Sequence, residues 1–326
     1  MILHQDKKVF EQAVRYTAEK LNILPIYIEK DYWVTYALKI LFTHPTTKEY
    51  LVFKGGTSLA KCYNLIARFS EDIDLVILRT ETETDNQSKR KIKAISTVLS
   101  DILPEIDIEG ITHKIGKIRK TAHAYSHYFG GDFGQVRDFI VLEATWLGYY
   151  EPFACQQISS LIGKVLLENH QPNLVEQYEL QPFDIRVLQA TRTLCEKIMS
   201  LVRFSYDKDP IIALRNKIRH LYDIHQMLKN KELTQFFYSD GFEMMLNKVA
   251  NDDVDSFKNN NRWLQYHPKE AIIFNDSEIW ELLNATYLND FSKLIYGDLP
   301  AAKDIQQTLA QVRDRVDNVK WTLSLP

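Results

Sequence analysis

The apolar positions along the chain change their period several times. Val34, Ala37, Leu38 and Leu41 fall at i, i+3, i+4 and i+7, which predicts an amphipathic helix over about residues 28–42. Leu51 to Phe53 is a short apolar run that reads as a strand and is broken by Gly55-Gly56. Leu59, Cys62, Tyr63 and Ile66 restore the helical spacing, with Thr57 or Ser58 placed as N-cap. From Asp72 to Leu78 the period is two, with Ile73, Leu75 and Ile77 on one face and Asp72, Asp74 and Val76 on the other.

Further along, residues 79–90 are polar and charged and read as a surface loop, followed by a helix over Lys91–Leu103. Strands are predicted over Ile106–Ile111, Gly116–Tyr128 and Val136–Thr145, with a glycine-rich turn at Gly130-Gly131-Asp132-Phe133-Gly134. From about Arg186 the pattern is mostly helical. Leu188, Thr191, Leu194, Cys195, Ile198 and Val202 form one stripe, and Ile218, Leu221, Tyr222 and His225 form another. Residues 251–270 read as a loop, and Asp304–Val319 as a last helix. The fold class is α/β in the first half and helical in the second, with the change of pattern between residues 150 and 185; the division adopted is 1–165 and 166–326.

Composition narrows the class. A chain of 326 residues with 45% hydrophobic and 25% charged residues is long enough for two cores and is ordinary for a globular protein. The formal net charge of −3 means that nucleic-acid binding requires a local basic patch. Lys114, Lys117, Arg119 and Lys120, interleaved with His113, His123, Tyr125, His127 and Tyr128, form the best candidate, although a solvated strand face explains it better. Cys62, Cys155 and Cys195 are far apart and form no CxxC pair, which argues against structural zinc and fits a reducing compartment. With no signal-peptide pattern near Met1 and no apolar run of membrane-spanning length, a cytoplasmic location is the expectation, without membrane partners.

Two stretches carry candidate chemistry. In Phe53-Lys54-Gly55-Gly56-Thr57-Ser58 a strand meets a helix through two glycines. Glycines let the backbone approach a ligand closely, and a helix start offers unpaired N–H groups to a phosphate. Taken alone, the pattern is better explained as a plain tight strand-to-helix turn. In Ser70-Glu71-Asp72-Ile73-Asp74-Leu75, the strand period puts both aspartates on one face. Adjacent carboxylates repel unless a cation lies between them, and Mg²⁺ takes one or two carboxylates together with substrate phosphates. Together the two stretches place carboxylates beside phosphates, as metal-assisted phosphoryl chemistry requires. Glu143, an acid within the apolar run Phe139–Thr145, is the candidate third carboxylate, as a metal ligand or a base. By spacing alone Glu196-Lys197 is unremarked, and Arg219 and Asp223 are an i, i+4 surface pair.

These stretches also carry a family resemblance. Ile28-Glu29-Lys30-Asp31-Tyr32-Trp33-Val34, the Phe53–Leu59 string and Arg68-Phe69-Ser70-Glu71-Asp72-Ile73-Asp74-Leu75 resemble the AbiEii/AbiGii toxin family of nucleotidyltransferases, to which the MenT toxins are related. Glu196-Lys197 is similar to the family's Glu-Lys motif, and Arg219-His220-Leu221-Tyr222-Asp223-Ile224 to its Arg-His-x-Tyr-Asp-Leu motif, with Ile224 in place of Leu. Trp280 to Ile305, with Asp290-Phe291 and Gly297-Asp298-Leu299-Pro300, resembles its closing segment. The resemblance implies a polymerase-β-like nucleotidyltransferase core with a helical C-terminal lobe closing its cleft. It implies Mg²⁺ at Asp72 and Asp74, triphosphate held at Gly55, Gly56 and Thr57 or Ser58, phosphate contact from Lys197, and completion of the site by Asp223. It also implies a nucleoside triphosphate substrate, an RNA acceptor such as the 3′ end of tRNA, and a cognate antitoxin. Transfer to a protein or a small molecule, or a non-catalytic nucleotide-binding regulator, are the alternatives; a regulator would be expected to lack one of the aspartates or the lysine, and all are present.

Overall fold

The short apolar runs read from the sequence become the middle of one sheet. The computed structural model describes residues 1–326 apart from 131–136, 258–259, 277, 322 and 324–326. Most of the glycine-rich turn predicted at 130–134, and Asn259 of the predicted loop, therefore lie outside the described residues.

In chain order the first elements are helices α1 (Lys7–Leu21) and α2 (Pro25–Thr43), strand β1 (Leu51–Lys54), helix α3 (Gly55–Lys61), strand β2 (Ile73–Ile77) and helix α4 (Asp85–Ser100). Strands β3 (Glu105–Ile106), β4 (Ile118–Ala124), β5 (Phe139–Thr145) and β6 (Phe153–Ile158) follow, then helices α5 (Leu161–Glu168) and α6 (Pro172–Gln177) and strand β7 (Phe183–Leu188). The seven strands lie in the order β3-β4-β5-β2-β1-β7-β6. The sheet is mixed: β1 runs antiparallel to β2 but parallel to β7, and β2 runs parallel to β5. Ile73, Leu75 and Ile77 are fully buried, as their alternation predicts.

Helix α2 differs from the amphipathic reading. It is buried on almost its whole circumference, Glu29 and Lys30 included. Its two acids and its lysine are there because each pins another segment. Glu29 accepts from the backbone N–H of Tyr128 (2.8 Å) and Phe129 (3.1 Å). Lys30 donates to the carbonyls of Arg137 (2.6 Å) and Phe139 (2.5 Å). Asp31 accepts from Lys61 (2.5 Å) and from the Leu161 N–H (2.7 Å). Hydrogen-bonded pairing is what makes buried charge tolerable.

Helix α4 starts within the predicted loop, at Asp85, because Thr84 and Gln87 form a reciprocal capping box. The strand predicted over 106–111 shrinks to Glu105–Ile106. The stretch between 150 and 185 carries β6, α5, α6 and the first half of β7, and a division at residue 165 runs through α5. The chain separates into one unit of residues 1–62, 69–146 and 153–187 and a second of 63–68, 147–152 and 188–326.

The second unit is helical, with α7 (Ala190–Phe204), α8 (Pro210–Arg215), α9 (Ile218–Lys229), α10 (Lys231–Phe237), α11 (Asp240–Ser256), α12 (Ile272–Asn275), α13 (Ile279–Ala285) and α14 (Ala302–Asp317). Helix α11 and short 3₁₀ turns at Arg262–Gln265 and Pro268–Glu270 occupy much of the predicted 251–270 loop. Leu194, Cys195, Ile198 and Val202 of α7, and Ile218, Leu221 and Tyr222 of α9, are buried along the predicted stripes. Among the described residues no helix is long and apolar enough to cross a membrane.

Candidate active site

Strand register sets the first part of the site. Lys54 on β1 lies opposite Asp74 on β2, Asp74 beside Glu143 on β5, and Glu143 opposite Lys120 on β4. Four adjacent strands thus carry one polar row in the order Lys120, Glu143, Asp74, Lys54. Side chains alternate along a strand. Arg119 turns to the α4 side, where its Nε donates to Ser96 Oγ (2.5 Å), and Lys120 lies on the opposite face, 3.4 Å from Glu143 Oε2.

Asp74 is the most constrained member. Burial, and then the carboxylates of Glu143 and Asp72, push its carboxyl up to about 7. Gly55 closes over it. This glycine has φ +80°, and a Cβ built on it would lie 2.1 Å from Asp74 Oδ2. The glycine is therefore required twice, for its backbone conformation and for its lack of a side chain.

Asp72 lies just before β2. Its carbonyl accepts from Thr57 Oγ1 (2.6 Å), which also meets Ser70 Oγ (2.9 Å). Ser58 Oγ donates to the Gly55 carbonyl (2.8 Å). Both hydroxyl side chains are buried and brace the turn and the start of the strand. The Asp72 carboxylate accepts from Arg137 Nη1 (2.7 Å).

Asp72, Asp74 and Glu143 thus belong to one neighbourhood of the first unit, but their carboxylates do not share a single focus. Among the described residues no three acidic, imidazole or thiol groups form a ready metal cage. The donors still suit Mg²⁺, which binds through one or two carboxylates and completes its shell with phosphate and water. A half-buried aspartate crowded by two other acids is a group whose charge a divalent cation would relieve.

Lys197 and Asp223 lie in the second unit and form a buried cluster with Arg68. Asp223 is fully buried and accepts from Arg68 Nε (2.6 Å) and Nη2 (2.8 Å) and from Lys197 Nζ (2.7 Å). Burial alone would raise its carboxyl, but Arg68 and Lys197 together hold it well below the usual carboxylate range. Asp223, expected from spacing at the surface, is therefore buried in a salt-bridged core. Next to it, burial and the charges of Lys197 and Lys217 hold the His220 imidazole well below its ordinary value, and its Nδ1 has no hydrogen-bond partner.

The basic patch divides on folding. Lys114 pairs with Glu105, Lys120 with Glu143, and Arg119 is turned to Ser96. His123 is buried, with its ring nitrogens at Thr121 Oγ1 (2.8 Å) and the Leu103 carbonyl (3.0 Å). Sequence reasoning missed Lys54, Lys120 and Arg137 as neighbours of the acids. Register made the first two adjacent, and register is not visible along one strand; for Arg137 the only local sign was a cation just before an apolar strand.

Comparison with known proteins agrees with this architecture. MenT4, a nucleotidyltransferase toxin from Mycobacterium tuberculosis H37Rv, has a similar fold, with a TM-score of 0.54 at 15% identity over 94% of this chain and 90% of that one. No curated protein matches the sequence. The model of the nucleotidyl transferase AbiEii toxin, type IV toxin–antitoxin system, matches residues 37–314. The chain belongs to the AbiEii family of nucleotidyltransferase toxins.

Proposed function

We propose that this nucleotidyltransferase uses the acidic row of its first unit to transfer a nucleoside monophosphate from a nucleoside triphosphate to an RNA hydroxyl, with the 3′ end of tRNA as the preferred acceptor. The observation that carries the reading is the crowding of Asp74 by Glu143 and Asp72 directly beneath the Gly55 turn. Asp72 and Asp74, with Glu143 as a third donor, are the residues that would hold Mg²⁺. When bound, Mg²⁺ neutralises phosphate charge and acts as a Lewis acid toward the phosphoryl oxygen.

The chain's own groups have distinct parts in this reading. The backbone of Gly55 and Gly56 approaches the phosphates, because no Cβ stands between the turn and Asp74. Thr57 and Ser58 keep that turn in shape from below. Glu143 takes the proton of the acceptor hydroxyl as its oxygen attacks the α-phosphorus, and the bond to pyrophosphate breaks. Lys120 Nζ, 3.4 Å from Glu143 Oε2, orients that carboxylate. The family resemblance assigns Lys197 a phosphate contact. Asp223, committed to two cations, serves by fixing Lys197 and Arg68. A type IV system also supplies an antitoxin as partner.

The test is incubation with each α-labelled nucleoside triphosphate, Mg²⁺ and total tRNA. Label is expected in RNA with the wild type and not with Asp72→Ala. Label in a protein or a low-mass product would move the acceptor assignment. No label anywhere, with pyrophosphate never released, would sink the reading.

A further inference from the structure

The metal-site acids have a cation of their own beside them, and the fold builds a frame for it. Arg137 reaches Asp72 Oδ1 at 2.7 Å and Glu71 Oε1 at 3.5 Å. Its side chain is 35% exposed, so it is reachable from solvent. Its main chain, by contrast, is held on both sides by buried charge. Its N–H donates to Glu71 Oε2 (3.3 Å), and its carbonyl accepts from Lys30 Nζ (2.6 Å). Lys30 and Glu71 are themselves paired at 3.3 Å, with side chains 0% and 5% exposed. Burying such a pair gives little net stability over an apolar one, so its presence needs another account. Here the account is placement. The pair clamps the N–H and the carbonyl of Arg137 from either side, so that a single arginine stands over Asp72.

We propose that Arg137 is a substrate-contacting residue that exchanges partners during the binding of metal and nucleotide, and that Lys30 and Glu71 are its positioning residues. The inference rests on the nucleotidyl-transfer reading of Asp72 and Asp74. The Oδ1 lone pairs of Asp72 that accept from Arg137 are those a divalent cation would use, so guanidinium and cation compete for this oxygen. Displaced from Asp72, the guanidinium keeps its clamped main chain and turns its planar fork to the nearest new anion, the triphosphate of the nucleotide. Arg137 therefore opposes the cation by itself and favours the nucleotide once the cation is in place.

That makes the effects of removing it opposite in sign. Mn²⁺ is titrated into the nucleotide-free protein and followed by electron paramagnetic resonance. Each of the four α,β-methylene ribonucleoside triphosphates is then titrated at saturating Mn²⁺. Arg137→Ala is expected to tighten Mn²⁺ about threefold or more, and to weaken the best-bound analogue about tenfold or more, the scale of a charge-assisted hydrogen bond. Arg137→Gln keeps most of the stem and carries the same two-sign test should the alanine variant not fold. Both affinities falling together would show a merely structural arginine, and both unchanged an idle one; either overturns the proposal. If the wild type binds Mn²⁺ but no analogue, the nucleotidyl-transfer reading fails and the exchange with it. If it binds both and Arg137 is indifferent, only the exchange fails.

Discussion

Gly55→Ala perturbs the site through one added carbon. At φ +80° an alanine is in left-handed backbone, at a cost of about 1–2 kcal/mol. Its Cβ would also stand 2.1 Å from Asp74 Oδ2, 3.0 Å from Cγ and 3.2 Å from Cβ of the same residue. Ordinary contact begins near 3.4 Å, so the carboxylate has to retreat by about 1.3 Å. Misplacing a reacting group by about 1 Å costs roughly 10²-fold in rate. The fold supplies a matched control in Gly116, with φ +79° and nothing within 4 Å of its built Cβ. Both alanine variants should lose about 1–2 kcal/mol in denaturant unfolding. Only Gly55→Ala should also lose about a hundredfold in the initial rate of label transfer. Equal transfer rates for the two variants would refute the argument that Gly55 is kept clear for Asp74.

Two further outcomes concern the second unit. Asp223→Ala leaves Arg68 and Lys197 buried without their anion, and should destabilise the protein by about 3–5 kcal/mol in denaturant unfolding; a loss under about 1 kcal/mol contradicts the buried-cluster account. His220, held neutral by burial and by Lys197 and Lys217, has its native pKa below the unfolded value of 6.5, so its contribution is present above that value. As pH falls through 6.5 the unfolded chain takes up a proton that the native state refuses, and stability declines by up to about 1.4 kcal/mol per pH unit. His220→Gln should flatten the slope between about pH 7 and 5; an unchanged slope removes His220 from the account.

The legible parts of this protein were those written in local periodicity. Ile73, Leu75 and Ile77 alternate with Asp72, Asp74 and Val76 because their face of β2 is packed, and Gly55-Gly56 marks the turn for a conformational reason visible in the letters. The family motifs then gave a whole-chain reading that the AbiEii match supports. Local rules failed where distant segments decide. Glu29, Lys30 and Asp31 are a charged triplet in the sequence, yet Glu29 and Lys30 are buried and Asp31 is half-buried, because their partners arrive from residues 128, 137 and 161. Asp223 looked like half of a surface pair with Arg219, until Arg68 and Lys197 came to it. The row Lys120, Glu143, Asp74, Lys54 exists only through the register of four strands, three of them distant in sequence. The capping box at Thr84 and Gln87 was readable, but lay inside a run of charges that resembled a loop.

The central claim is that the charge on Asp74 does chemistry at the expense of comfort. Asp74→Asn preserves shape and removes a carboxylate crowded by burial, Glu143 and Asp72. The measurement is transfer of label from nucleoside triphosphate to RNA, made beside thermal unfolding of the same metal-free samples at neutral pH. The account predicts a variant that melts no lower than the wild type, while transfer falls about 10³-fold, the several kcal/mol that a lost metal carboxylate withdraws from the transition state. An asparagine variant that transfers label at the wild-type rate would contradict it.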